Sequence, residues 1–172
     1  LIRRQRQMCI RDRFCLSIMA YAQTPQDRAT ELKKQAQSSL NQKDYIKARY
    51  LFKKAYEAFA SRENYPQAIE CGVQANALYV RENFYKEGFE LCRDMEQLLW
   101  TGEQNKKKVF YDLRFLINKE RLQMYTALKN PAQAKIQLDK LEEMANLAKN
   151  DSLTEVLLYT CLLYTSDAAD EL

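Results

Sequence analysis

Few side chains in this chain are of a type and spacing that could do chemistry. Glu142-Glu143, and Asp94 with Glu96, are paired carboxylates of the kind that acid/base catalysis uses. Adjacent helical residues, and residues two apart, do not share a face, so each pair reads as solvated. Lys106-Lys107-Lys108 could hold an acidic partner, but a single basic triplet reads as a solvated face. The sequence contains no His, which removes the usual general base, the Ser-His-Asp and Cys-His pairs, and every His-ligated metal site. Its three glycines, Gly72, Gly88 and Gly102, are too scattered for a phosphate-binding loop. The expectation is no catalytic residue, no metal and no cofactor, hence not an enzyme.

Cations and aromatics alternate between residues 33 and 56. Lys33, Lys34, Lys43, Lys47, Lys53 and Lys54 are interleaved with Tyr45, Tyr50 and Tyr56. Such a pattern could stack and neutralise nucleic acid. The spacing puts the tyrosines largely in repeat packing instead, and no nucleic-acid partner is expected of this segment. Lys+Arg total 27 against 23 Asp+Glu, a net charge of only +4, which singles out no polyanion.

The two ends need separate treatment. Back-translation of Arg3–Arg13 gives a DNA stretch whose reverse complement encodes Cys161–Asp170. Residues 1–13 and 161–172 are therefore read as the two strands of one segment, which resembles the adapter of a transposase-based sequencing library. They carry five Arg against one Asp, and two Asp and one Glu, so without them the net charge is +3. Residues 14–22, FCLSIMAYA, are apolar and end in Ala-x-Ala. They read as the remnant of a signal peptide cleaved after Ala22, which implies a periplasmic location. No apolar run approaches the roughly 20 residues of a membrane span, so membrane attachment is expected only through a segment downstream.

Residues 23–160 then form the domain, and 47% hydrophobic residues suffice for a core. Tyr45 is followed by Ala48, Phe52 and Ala55. Tyr65 is followed by Ala68, Gly72 and Ala75, and Tyr85 by Gly88, Cys92 and Met95. Pro131 leads Ala134, Leu138 and Leu141 at the same offsets. Offsets of three, seven and ten lie on one helical face. The polar residues before the starts, Asp44, Asn64 and Asn130, suit N-caps. Small residues at the first offset allow close helix approach.

Helices are expected at about 25–42, 45–61, 65–81, 84–100, 104–129 and 131–149, with Thr24 and Pro25 starting the first and Gly102 ending the fourth. A seventh follows Asn150-Asp151-Ser152, with Leu153, Val156, Leu157 and Leu158 exposed as an unpartnered apolar face. No period-two pattern predicts a strand. Trp100 is expected in the core at a helix end, and Cys71 and Cys92 as two buried free thiols.

Leu32, Ala36, Tyr45, Ala48, Phe52 and Ala55 together resemble a tetratricopeptide repeat, whose units are antiparallel helix pairs. The resemblance is best over 29–60. Later copies depart from it: Gly72 and Cys92 stand where an aromatic is usual, and the closing Pro is absent. It implies an all-α solenoid of stacked hairpins, truncated at its C-terminal end. Leu32, Ala36, Tyr45, Ala48, Phe52, Ala55, Tyr65, Ala68, Ala75, Tyr85, Gly88, Ala134, Leu138 and Leu141 are the expected packing residues. Arrays of this kind hold a protein or peptide along a concave groove. Asn76, Tyr79, Arg114, Asn118 and Arg121 lie off the expected packing face and are the candidate groove contacts.

The export signal and irregular repeats resemble the N-terminal periplasmic part of Gram-negative envelope signalling proteins. That implies a non-catalytic interaction or sensing module of a larger membrane-anchored regulator. The alternative is a free periplasmic or outer-membrane-associated scaffold, as in glycan uptake or envelope assembly.

Overall fold

A computed structural model describes residues 25–169, with side chains from Arg28 to Cys161. The expected adapter head, signal remnant and Thr24 cap lie outside the described residues. Seven helices follow one another: α1 Pro25–Asn41, α2 Tyr45–Ala60, α3 Tyr65–Arg81, α4 Tyr85–Lys106, α5 Tyr111–Ala127, α6 Pro131–Ala148 and α7 Asp151–Ala169. Among the described residues there is no strand. Each helix packs on the next, giving an all-α helical-repeat solenoid. The odd helices also touch: α3 meets α5, and α5 meets α7. Lys33 of α1 reaches Gln67 (2.9 Å) and Glu70 (2.7 Å) of α3. The odd helices thus make a continuous layer.

The turns explain the regular reversal of the chain. Lys43, Glu63, Asn83, Lys107, Lys129 and Lys149 each take a left-handed conformation, with φ between 49° and 62°. At four of them the next residue donates its N–H back to a helical carbonyl: Asp44 to Ser39, Asn64 to Phe59, Phe84 to Tyr79 and Asn130 to Tyr125. This is the hydrogen-bond pattern that closes a helix end with one left-handed residue. The next helix starts at once. Asp44, Asn64 and Asn130 accept N–H bonds from Lys47, Gln67 and Gln133, as expected of N-caps.

The packing residues behave as the offsets require. Ala36, Ala48, Phe52, Ala55, Tyr65, Ala68, Ala75, Gly88, Ala134 and Leu141 are buried, and Leu32, Tyr45, Tyr85 and Leu138 are half-buried. A large core joins α1–α5, and a smaller one built on Phe115, Leu122, Ala134, Leu141, Ala145 and Leu157 joins α5–α7. Helix α5 serves both, turning Ile117 and Met124 to the first and Phe115 and Leu122 to the second.

Four expectations are corrected. Gly102 does not end α4; the helix runs on to Lys106, and Lys107 ends it. A Cβ at Gly102 would stand 2.5 Å from the Tyr65 ring, so glycine here serves a helix crossing. The single helix expected over 104–129 is broken, because 107–110 form the α4–α5 turn. Trp100 is 54% exposed, since its neighbour Leu99 takes the core position. In α7, Leu157 is buried and Leu153 and Val156 are half-buried against the smaller core; Leu158 alone of the four stays exposed. The expected boundary after Thr160 falls within α7.

Candidate functional site

The five candidate groove contacts do not form an open groove. Asn76 and Asn118 are buried, which corrects their placement off the packing face. Asn118 donates to the Arg114 carbonyl at 2.8 Å and to Met144 Sδ at 3.4 Å. Asn76 donates to Glu120 at 3.0 Å. Arg121 grips Glu96 of α4 through two bonds, at 2.6 and 2.7 Å. Arg114 is paired with Glu103 of α4. The reason was present in the sequence: Tyr111 opens α5, and Arg114, Asn118 and Arg121 follow at three, seven and ten. They occupy the packing offsets, with polar partners in place of small apolar ones.

Tyr79 is the exception, because it lines a surface groove. Six residues of α2 (Ile46, Arg49, Tyr50, Lys53, Lys54, Glu57) and Tyr79 of α3 enclose a volume of about 410 Å³. Ile46 is 69% exposed and Tyr50 61%. They stand one helical turn apart, on the face of α2 opposite Phe52 and Ala55. Arg49 forms the floor. Its guanidinium carbon lies 4.8 Å from the Tyr79 ring centre and 5.1 Å from that of Phe84, and it is paired with Glu82. Two aromatic rings and a carboxylate hold this planar cation in place.

Lys54 pairs with Glu57 at 2.8 Å, whose hydrogen bond raises the Lys54 pKa, and lies 5.9 Å over Tyr50. Lys53 makes no ion pair among the described residues. The lining thus carries three cations and one carboxylate around two exposed apolar side chains. Assigning the 33–56 tyrosines to packing holds for Tyr56, which is buried, and for half-buried Tyr45. It missed Tyr50, five residues after Tyr45 and therefore off the packing offsets.

Cys71 and Cys92 are both free and buried, as expected. Burial pushes their thiols up to about 11 and about 12, respectively. Neither is a nucleophile at neutral pH. Among the described residues no cluster of His, Cys, Asp or Glu could hold a metal, and no helix is long and apolar enough to cross a membrane. No protein-family model, curated protein or solved structure matches this chain.

Proposed function

We propose that this chain is a non-catalytic protein-interaction module of the tetratricopeptide type, which docks its partner on the α2–α3 groove. The observation that carries it is the pairing of exposed Ile46 and Tyr50 with an immobilised Arg49 beside them. Stranded apolar side chains at one spot on a rigid scaffold mark a contact surface. The partner fits as an acidic segment bearing one apolar or aromatic anchor. The anchor would bury Ile46 and Tyr50, and its carboxylates would face Lys53, Lys54 and Arg49.

The wider setting is a periplasmic sensing region of a membrane-anchored signalling or transcription-regulatory protein. The Ala-x-Ala site at Ala20–Ala22 and the repeat arrangement support this reading. A free envelope scaffold uses the same surface, and source DNA read across the Thr160 codon separates the two. A membrane span followed by an output domain favours the sensor; further repeats ending in a stop codon favour the scaffold.

The groove is tested by fluorescence anisotropy with a labelled peptide of Asp and Glu around a central Phe. Binding is expected to weaken about tenfold or more in Tyr50→Ala and in Lys53→Glu, with thermal stability unchanged. Equal affinity for a Lys-flanked peptide would overturn the acidic preference, and no difference between wild type and Tyr50→Ala would overturn the site.

A further inference from the structure

Asn76 of α3 and Glu120 of α5 meet where α3, α4 and α5 converge. Asn76 is fully buried and Glu120 is 4% exposed. Asn76 Nδ2 donates to Glu120 Oε2 at 3.0 Å. The other end of the amide is different: Asn76 Oδ1 is buried without a hydrogen-bond partner. Gly88 of α4 backs it so closely that a Cβ there would stand 3.0 Å from Oδ1.

Two unfavourable features therefore lie side by side. A buried acceptor with no donor loses its water partner and gains none in return. A buried carboxylate without a cation costs more. One proton removes both. Protonated Glu120 loses its charge and gains an O–H donor, and the orphan acceptor on the amide it already holds is Asn76 Oδ1.

The surrounding charges leave the carboxyl without an ion-pair partner. On its own helix Lys119 acts on it, while Arg121 is committed to Glu96 of α4. Helix α4 also presents Cys92, whose thiol is neutral, and α3 presents the Asn76 amide. No charged group of α6 or α7 acts on Glu120 among the described residues.

We infer that Asn76 and Glu120 form a proton-binding site: the protonated acid and the amide close a ring of two hydrogen bonds that ties α3 to α5, and loss of the proton loosens that joint. The inference is independent of the groove and of the function proposed for it. Burial, the largest influence, raises the Glu120 pKa from its ordinary 4.5, against the Asn76 hydrogen bond and Lys119, which lower it. A carboxyl whose folded value is raised contributes stability that is fully present below its unfolded value. That contribution is lost as pH rises through the folded value. The α3–α5 contact joins successive hairpins, so the proton acts on the geometry of the solenoid.

The test is a carbon-13 NMR titration of the full chain, following the side-chain carboxyl of Glu120. Glu120 is expected to stay protonated above the ordinary carboxylate value of 4.5; titration at or below that value would overturn the site. Glu120→Gln supplies the second readout, because glutamine keeps the ring without the titration. Its melting temperature is expected to gain on wild type progressively as pH rises above about 4.5. A gap that stays constant with pH would overturn the proton-dependent joint, and the wild-type titration stands even if the variant folds poorly.

Discussion

Glu103 near the end of α4 and Arg114 in the first turn of α5 form a two-pronged ion pair across the turn between them. Arg114 Nε donates to Glu103 Oε1 at 2.8 Å, and Nη2 donates to Oε2. The same Oε1 accepts the Phe110 N–H at 2.9 Å, the residue at which α5 begins without a side-chain cap of its own. Glu103 is 9% exposed, so its bonds are sheltered from water. One carboxylate thus stands in for the closing hydrogen bond that four of the other turns make.

Glu103→Gln should therefore destabilise the protein by roughly 2 kcal/mol, because a charged acceptor of three bonds is lost. The pH dependence has a definite sign. The Arg114 hydrogen bond, against opposing burial, holds Glu103 below the ordinary carboxylate value of 4.5. Its contribution is present above the unfolded value and is lost as pH falls through the folded one. Urea unfolding of wild type and variant should converge in acid and separate toward neutral pH. A gap independent of pH would refute this role.

The glycines give a second prediction, since all three lie inside helices. At Gly102 an added Cβ meets three atoms of the Tyr65 ring at 2.5–2.9 Å. At Gly72 it meets Met95 Sδ, the far part of a flexible chain. Alanine gains about 1 kcal/mol of helix propensity at either site. A buried ring packed on α4 cannot step aside, so Gly102→Ala should lose about 1–2 kcal/mol net. Gly72→Ala should be near neutral as Met95 takes another rotamer. Thermal unfolding of both variants checks the order, and equal losses would contradict it.

These glycines also show why some of the fold was legible in the sequence and some was not. Tyrosine with small and apolar residues at three, seven and ten reports one buried face, and that face is buried in α2, α3 and α4. The α4–α5 break was not legible, because a glycine near a helix end carries the same signal whether it stops the helix or admits a ring. The true stop, Lys107, is a residue type with no breaking tendency. The offsets after Tyr111 mark Arg114, Asn118 and Arg121 as packing positions, but their partners, Glu103, Met144 and Glu96, lie on other helices and were not legible. Spacing within one helix does not reveal a polar partner across an interface.

The two buried thiols should be inert in the native state. With thiols pushed up to about 11 and about 12, Cys71 and Cys92 present almost no thiolate at pH 8. Alkylation with iodoacetamide, mapped by mass spectrometry, should label them only after denaturation. Half-buried Cys161 should be labelled earlier. Rapid native labelling of Cys71 or Cys92 would show that the α3–α4 packing opens far more readily than its burial implies.

The turns offer the most direct route to a more stable chain. Every described left-handed residue is a non-glycine, and such a backbone costs an ordinary side chain roughly 1–2 kcal/mol. Glycine removes that cost but adds about 0.4–1 kcal/mol of unfolded-state entropy to be lost. For Lys43 and Glu63, both exposed, the balance favours glycine. Lys43→Gly and Glu63→Gly should each stabilise by about 0.5–1 kcal/mol, additively because the turns are separate. Asn83 should differ. Asparagine tolerates the left-handed region, and its Oδ1 accepts a 2.7 Å bond from the Tyr85 hydroxyl. Asn83→Gly should therefore gain nothing. Urea midpoints for the three variants decide the matter: a gain at Asn83 equal to that at Glu63 would show that side-chain type does not set the cost of these turns.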